Sequence, residues 1–246
     1  MISTIFNASI YDPLYNGLVY LVGIIPTHDV GIAVVLLTIV VRIIVYPLSR
    51  RAVQAQLDMK KVAPEITKIR DAHKGDKQGE SKAIFALYKE RNIHPFASFL
   101  LILVQFPVLI GLYWVFSRGG LATIEGARLY SFVHIPPMIN MEFLGIQNMA
   151  AHSIVLAFLA GVTQFAYTRL SMGPRGVKTA TEASFSDDMA RSLDVQARYV
   201  LPAIIGVIAY SVVAAAPLYW VTSNIFMIGQ EYFAGRRFGP EKSDIK

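Results

Sequence analysis

Residues 30–48, VGIAVVLLTIVVRIIVYPL, decide the fold class of this chain. The stretch approaches the roughly 20 apolar residues with which a helix crosses about 30 Å of hydrocarbon. Two more stretches share its length and character: FASFLLILVQFPVLIGLYWVFS at 96–117 and AAHSIVLAFLAGVTQFAYTRLS at 150–171. Apolar runs of this length with so few charges are rare in soluble proteins, so all three predict membrane-spanning helices.

The composition of the whole chain agrees with a membrane protein. Of its 246 residues, 54% are hydrophobic and only 16% are charged, whereas soluble domains contain about 25% charged residues. The chain contains no cysteine, which excludes disulfides, thiolate nucleophiles and cysteine-ligated zinc.

A fourth apolar stretch, residues 199–233, is too long for one crossing. A single helix of this length would measure about 50 Å, and Pro217 interrupts it near the middle. Basic residues flank it on both sides, which favours a hairpin of helices that returns to the same face of the membrane. We therefore predict two spans, at 199–214 and 217–234, the first of which suits a thinned bilayer.

The placement of lysine and arginine orients these spans. None precedes Arg42, eleven fall in residues 49–95, two in 118–149 and three in 172–197. Because cytoplasmic loops carry the excess of Lys and Arg, this alternation predicts five spans of a cell membrane protein, with the N-terminus outside and the C-terminus in the cytoplasm. The net charge of +6 is explained by this topology, so no nucleic-acid partner is expected.

The predicted architecture is an all-α membrane protein with five transmembrane helices, a cytoplasmic helical hairpin and an N-terminal amphipathic helix in the outer interface. The predicted segments in chain order are the interfacial helix at 1–28, the first span at 29–48, the cytoplasmic hairpin at 49–95, the second span at 96–117, the outer loop at 118–149, the third span at 150–171, a cytoplasmic loop at 172–198, the fourth span at 199–214, the fifth span at 217–234 and a cytoplasmic tail at 235–246.

The segments outside the spans have weaker patterns. Within the hairpin we expect helices at about 50–73 and about 79–91, separated at HKGDKQG, with a kink at Pro64. The basic residues of the hairpin either form a solvated positive-inside loop or hold clients or anionic headgroups. In the outer loop we expect little regular structure.

Arg42 is the most informative polar residue of the spans, since it lies about 9 Å inside the cytoplasmic end of the first span. An arginine in mid-membrane costs about 2.5–3.5 kcal/mol on insertion scales, and the many Val, Ile and Leu residues around it offset this at about 0.3–0.6 kcal/mol each. Two interpretations stay open. Either the side chain snorkels to the inner headgroups, or it lines a watery cavity in the inner half of the membrane.

Other spans carry polar or amphipathic side chains at a similar depth. A lone amide is more often a helix–helix contact than a ligand, and an aromatic pair alone would suit an interfacial belt. Together with Arg42 these side chains could line one polar groove, which lowers the cost of burying each of them. The candidate groove residues besides Arg42 are Gln105, Thr163, Gln164, Tyr219, Trp220 and Asn224.

The sequence lacks the motifs that are typical of the common hydrolytic enzymes. The sequence lacks the H-E-x-x-H and G-x-S-x-G motifs. Its five His residues show no metal-ligand spacing, and no span holds a pair of Asp residues. We therefore expect a protein that is not an enzyme and that uses no metal or other cofactor.

Four stretches resemble the YidC-type membrane protein insertases of the Oxa superfamily. They are DPLYNGLVYLVGIIPTHDVGIAVVLLTIVVRIIVYPLSRR, LYKERNIHPFASFLLILVQFPVLIGLYWVF, LAGVTQFAYTRLS and PLYWVTSNIFMIGQEYF, and they cover nearly the whole chain. The span arginine followed by YPLS is specific to the family when it occurs with LVQFPVLIGLY and LYWVTSN. The chain departs from the family at His94, where Asn is common, and at Val213, Ala214 and Ala215, where Pro-Ala-Gly is usual.

The resemblance implies an insertase whose polar groove is open to the cytoplasm and to lipid and closed on the outside. It makes Arg42 the positive charge of the groove, Tyr219 and Trp220 a substrate-contact region and Gln164 a further polar residue. A short polar segment of a client would enter from the cytoplasm, while its apolar helix slides along the first and last spans into lipid. The implied partners are nascent membrane-protein clients and membrane lipids, with the ribosome and the Sec translocon as further candidates.

Two other classes of protein stay open at this stage. A small transporter or channel would use the same polar residues, but it needs a pore open to both faces, and the outer half of the spans offers few polar side chains. A structural assembly factor would need no groove. Because the sequence has no nucleotide-binding motif, we expect hydrophobic partitioning and the membrane potential to drive insertion.

Overall fold

A computed structural model describes residues 2–94, 97–117, 121, 124–172 and 195–235, without the side chains of residues 2, 3, 56, 60 and 97–105. The predicted cytoplasmic loop at 172–198 and the tail at 235–246 lie almost entirely outside the described residues. The chain forms two compact units, Met1–Ile43 with Pro107–Lys246 and Ile44–Phe106.

The described chain is mostly helical, in agreement with the predicted all-α class. Within the described residues, two helices are long and apolar enough to cross a membrane, Val30–Met59 and Ile154–Met172. Each covers most of a span expected from hydropathy, at 29–48 and 150–171, and the second helix begins only at Ile154. The count of five spans stays a prediction.

The larger unit begins with a nearly continuous helical segment. It consists of α1 (Ile2–Phe6), a π-helical turn (Asn7–Tyr11) and α2 (Asp12–Ile24). Pro13 is the second residue of α2, which follows the π-helical turn directly, and at this junction the regular pattern of backbone hydrogen bonds already changes. The buried residues of α2 recur at helical spacing and so form one face: Leu14, Tyr15, Leu18, Val19 and Val22. The interfacial position of this segment stays a prediction.

The helix α3 (Val30–Lys61) contains the predicted first span and continues beyond it. It has 32 residues, which at 1.5 Å per residue is about 48 Å. The good helix formers of RRAVQAQLDMKK extend it past Leu48. The helix predicted at about 50–73 is therefore divided between the end of α3 and α4 (Ala63–Ala72), and Pro64 lies in the first turn of α4 instead of kinking a helix interior.

The smaller unit contains a helical hairpin of α4 and α5 (Lys77–Glu90). Glu65 of α4 accepts hydrogen bonds on both carboxylate oxygens from the Arg91 guanidinium, each at 3.0 Å. The turn between the helices contains Gly75 at φ +93°, a conformation that favours glycine. The buried core of the hairpin consists of Val62, Leu87 and Ile93.

Residues 124–149 of the predicted outer loop are more ordered than the sequence suggests. They contain a 3-10 turn (Gly126–Arg128) and an antiparallel pair of short strands, β1 (Glu142–Phe143) and β2 (Gln147–Asn148). The strands are only two residues long, so side chains from the helices supply much of the order of this segment.

Two buried side chains tie this segment to α2 and α3. Asn16 of α2 is 2% exposed and donates from Nδ2 to the Arg128 carbonyl at 3.0 Å. Asp29, also 2% exposed, accepts from the Ile32 N–H at 2.9 Å and from the Leu144 N–H at 2.8 Å. The bonds to Arg128 and Leu144 join residues more than 100 positions apart in the chain, so no local sequence pattern predicts them.

Four further helices follow in the described residues. They are α6 (Ala97–Ser117), α7 (Ile154–Met172), α8 (Leu201–Ser211), which continues a π-helical turn at Gln196–Val200, and α9 (Ala215–Phe233). The chain is extended at Val212, and Pro217 lies in the first turn of α9, where proline is tolerated. The break predicted within 199–233 is therefore present, a few residues before Pro217.

Small residues bring α7 and α8 close together. A Cβ added to Gly161 would lie 3.3 Å from the Pro202 carbonyl oxygen and 3.6 Å from the Cα of Gly206. Small residues at helix interfaces are typical of membrane helices, because they let backbones approach closely. The buried alanines of this interface are Ala157, Ala160 and Ala209.

The main core of the larger unit joins α2, the first part of α3, the second part of α6 and the start of α9. It is built from aliphatic and aromatic side chains with almost no exposure. Its members include Leu18, Val30, Val34, Leu112, Val115, Ala215, Leu218 and Tyr219. This core holds the α3 and α9 backbones beside one another and so positions the candidate site.

Candidate functional site

Arg42 lies on α3 with its side chain directed at α9. It is 8% exposed, and its Nε donates to the Ser223 hydroxyl oxygen at 2.8 Å. Its Nη2 donates to the same oxygen. Ser223 is 0% exposed, so the contact is buried. A hydroxyl can orient a guanidinium by hydrogen bonding without supplying a negative charge.

Two tyrosines also lie within electrostatic reach of the Arg42 guanidinium, Tyr167 on α7 and Tyr219 on α9. Tyr219 is 1% exposed and belongs to the main core, whereas Tyr167 is half-buried. The structure therefore brings α3, α7 and α9 together around one arginine.

Ser223 and Tyr167 are absent from the candidates chosen on sequence. A signal for both was available, because residues three or four apart share a helix face. Ser223 follows the candidate Tyr219 by four positions, and Tyr167 follows the candidate Gln164 by three.

A second polar contact joins α7 and α9. The Asn224 amide Nδ2 donates to the Thr163 hydroxyl oxygen at 3.2 Å. On α7, the Gln164 Nε2 donates to the Thr168 hydroxyl oxygen at 3.3 Å. Asn224 is buried, whereas Thr163 and Gln164 are half-buried. Two of the residues predicted from sequence, Asn224 and Thr163, thus meet between these helices, and Gln164 follows Thr163 on α7.

Tyr219 and Trp220 lie on different faces of α9. Successive helical residues point about 100° apart, and Tyr219 belongs to the core beside α3. Trp220 packs instead against the cluster of small residues between α7 and α8. The two aromatic rings therefore have separate surroundings.

Gln105 lies on α6, but its side chain falls outside the described residues. Its residue belongs to the smaller compact unit, whereas the other candidates belong to the larger one. Its place in a groove is therefore untested.

Further polar side chains are buried near one end of the same bundle. Ser171 lies at the end of α7, Arg198 in the turn before α8, and Glu231 at the end of α9, and each is at most 8% exposed. The predicted topology puts these helix ends on the cytoplasmic side. In the described ranges, no group of three or more His, Asp or Glu side chains could hold a metal ion.

Comparison with known proteins finds the 60Kd inner membrane protein family over residues 22–241. The membrane protein insertase YidC of Clostridium tetani (strain Massachusetts / E88) is 32% identical over 205 residues, 83% of this chain and 81% of that relative. The insertases YidC of Methylobacillus flagellatus and Francisella tularensis subsp. novicida are 29% and 26% identical. In both cases the match covers 85% of this chain and 33% of the relative, so this chain spans about a third of the length of these two.

Proposed function

Because this chain belongs to the 60Kd inner membrane protein family and is a YidC-type membrane protein insertase, we propose that it moves short polar segments of its clients partway across the bilayer through a groove on α3, α7 and α9. Its clients are membrane proteins, and it acts in the inner membrane. The observation that carries the proposed groove is the buried contact between Arg42 and Ser223.

The frame of the groove is a bundle of five spans that contain α3, α6, α7, α8 and α9. The alternation of basic loops supports an N-terminus outside and a C-terminus in the cytoplasm. The segment Gln196–Ser211, which includes the π-helical turn, then forms the fourth span.

Arg42 provides the positive charge that attracts acidic residues of a client. Ser223 holds the guanidinium in place and leaves its positive charge intact, since a hydroxyl is neutral. Charges attract one another more strongly at low dielectric than in water. The attraction between Arg42 and an acidic side chain of a client tail is therefore stronger beneath the membrane surface than it would be in water.

The amide and hydroxyl pairs of α7 and α9 provide exchangeable hydrogen bonds. The Asn224–Thr163 and Gln164–Thr168 contacts, at 3.2 and 3.3 Å, satisfy these groups in the absence of a client. A client backbone that enters beside the half-buried Thr163 and Gln164 can replace either contact without leaving a polar group unsatisfied. The tail then crosses the inner half of the membrane with its hydrogen bonds made.

The apolar part of the client passes along the outer surface of the bundle into lipid. The half-buried indole of Trp220 belongs to this proposed path, as a contact to the client from α9. Hydrophobic partitioning and the membrane potential drive the movement. The ribosome and the Sec translocon are proposed partners for delivery of nascent clients.

Insertion into protein-free liposomes tests this proposal. The full chain is reconstituted with a single-span client whose short tail is either acidic or uncharged. Arg42→Ala should lower insertion of the acidic client roughly tenfold or more, because an ion pair at an effective dielectric of about 20 is worth a few kcal/mol. The uncharged client should be inserted nearly as before.

The matched control is Arg50→Ala, which removes an exposed arginine from the same helix. Equal insertion of both clients by the Arg42→Ala variant would remove the arginine from the mechanism. A dye enclosed in the same liposomes should stay inside, since release of solute without insertion of client would favour the transporter alternative.

A further inference from the structure

The acidic residues of the cytoplasmic hairpin are mostly engaged within the hairpin itself. Four carboxylates contact basic side chains of the same unit, which leaves little negative charge available to partners. These ion pairs are Asp58–Lys61 at 2.8 Å, Glu65–Arg91 at 3.0 Å, Asp71–Lys74 at 3.4 Å and Glu80–Arg70 at 3.4 Å. A fifth carboxylate, Asp76, caps α5 by accepting from the Gly79 N–H at 2.9 Å.

The three lysines of α5, Lys77, Lys82 and Lys89, are exposed, and two of them lie on one face of the helix with Phe85. Lys82 and Lys89 are exposed, and in the described part of the unit neither forms an ion pair. Phe85 lies between them on the helix and is 57% exposed. Because residues three, four and seven apart lie on one face of a helix, these three side chains form a continuous strip with Gln78. We call Gln78, Lys82, Phe85 and Lys89 the basic face.

The basic face points away from the hairpin core. Leu87 of α5 is 6% exposed and packs with Val62 and Ile93, on the opposite side of the helix. The core of the hairpin therefore fixes which side of α5 is presented outward. An exposed Phe within a pair of lysines has no role in that core.

From this arrangement we propose that the basic face docks on an anionic bilayer surface. Lys82 and Lys89 contact lipid phosphates, and Phe85 enters the boundary between headgroups and acyl chains. This is the side-chain combination with which helices lie on membranes, namely basic residues beside an aromatic anchor. The attraction comes from the negative potential of the cytoplasmic leaflet, which acts on basic segments close to it.

Phe85 and the chain connectivity favour lipid over ribosomal RNA or an acidic protein. Lysine stems and a phenyl ring together cover apolar surface beneath a layer of phosphates. Two lysines are few for a nucleic acid, whose binding in solution depends on many phosphate contacts. The hairpin is joined at both ends to predicted spans, so its local concentration near the headgroups is high and weak contacts suffice.

Because the sequence contains no cysteine, one introduced cysteine can be labelled with a nitroxide without any other substitution. Ala86→Cys places a nitroxide on an exposed position beside Phe85. The full chain is reconstituted in nanodiscs of phosphatidylcholine alone or with added phosphatidylglycerol. We expect the anionic nanodiscs to raise the collision rate of the label with oxygen and to lower that with a water-soluble nickel chelate.

Charge variants test the role of the lysines. Lys82→Glu with Lys89→Glu should abolish the effect of phosphatidylglycerol, since each lysine near an anionic surface changes the docking equilibrium about fivefold. Lys68→Glu is the matched control, because Lys68 is also exposed but lies on α4. Phe85→Ser should retain the lipid dependence and leave the label at a shallower depth.

Three results would overturn the proposal. The label could stay equally accessible to the nickel chelate in both kinds of nanodisc, or Lys68→Glu could act as strongly as the double variant. Alternatively, added ribosomes could protect the label where anionic lipid does not. A second label at the exposed Thr67 of α4 reports hairpin folding, and its unchanged mobility in each variant excludes unfolding as the cause.

Discussion

Arg42 of α3 and Ser223 of α9 are 181 positions apart in the chain, yet the Arg42 Nε donates to the Ser223 hydroxyl at 2.8 Å. A second donor of the same guanidinium, Nη2, shares that oxygen. One buried hydroxyl therefore orients the arginine on which the proposed attraction of clients depends. It also joins the first and last predicted spans.

Replacement of Ser223 should affect both stability and function. Ser223→Ala removes one acceptor of a buried guanidinium, and hydrogen bonds to charged groups contribute about 1.5–3 kcal/mol. We expect a loss of stability of that order in detergent-melting experiments, together with reduced insertion of acidic clients. Ser223→Thr, which keeps the hydroxyl, should retain most of both.

The control for this variant is Ser211→Ala on α8. The Ser211 hydroxyl donates only to the Val207 carbonyl of its own helix, at 3.1 Å. Equal melting temperatures for Ser223→Ala and Ser211→Ala would show that the interhelical contact is energetically unimportant.

Asn224→Ala should weaken the association of α9 with α7. The lost contact is the donation from Asn224 to the Thr163 hydroxyl at 3.2 Å. Interhelical hydrogen bonds in membranes are worth about 0.6–2 kcal/mol, so we expect destabilisation in that range on unfolding by denaturing detergent. Thr222→Ala, which removes a local bond to the Leu218 carbonyl at 2.9 Å, should cost less, and the reverse order would contradict this assignment.

Gly161→Ala should disturb the packing of α7 on α8. The new Cβ would lie 3.3 Å from the Pro202 carbonyl oxygen, which is backbone and has little freedom to move away. Overpacking of a tight interface costs about 1–3 kcal/mol. At Gly229 of α9 a new Cβ meets nothing within 4 Å, so Gly229→Ala should be neutral or stabilising by up to about 1 kcal/mol.

The two glycine variants are compared by thermal melting in detergent. If Gly161→Ala melts at or above the temperature of Gly229→Ala, the close approach of α7 and α8 does not limit stability.

Asp29→Asn should loosen the ordered segment 124–149 from the start of α3. Both carboxylate oxygens of Asp29 accept backbone N–H groups, from Ile32 and Leu144. An amide has one acceptor oxygen, so one N–H would face an NH₂ donor in a buried site, at a cost of about 1–3 kcal/mol. Faster hydrogen exchange at Leu144 measures the effect. Asp71→Asn at an exposed site should leave that exchange unchanged.

Hydropathy was sufficient to predict the helices α3 and α7, because a long apolar run has few alternatives to a membrane helix. It was insufficient to predict the residues at which the helices begin and end. The helix formers after Leu48 continue α3 through a predicted boundary, and Pro64 begins a helix instead of bending one. Helix formers and proline each allow more than one local outcome, and contacts elsewhere in the fold choose between them.

The candidate site was partly accessible from sequence. Arg42, Thr163 and Asn224 are conspicuous because polar residues are rare in apolar spans. Ser223 is as polar, but its spacing of four from Tyr219 does not by itself show which helix that face of α9 meets. Its importance depends on the rotation of α9 about its axis, which points Tyr219 and Ser223 toward α3 and directs Asn224 toward Thr163.

The amino-acid sequence alone determined that this chain is a helical membrane protein with an arginine inside its first long apolar run and a basic segment after that run. Hydropathy and loop charge are local and nearly additive properties, so they can be summed along the chain. Only the tertiary structure decided that Arg42 meets Ser223, that Asp29 holds Leu144, and that Lys82 and Lys89 have no ion pair within the described hairpin. These facts depend on the rotation and register of segments distant in sequence, and side chains are paired or exposed only once the helices have packed.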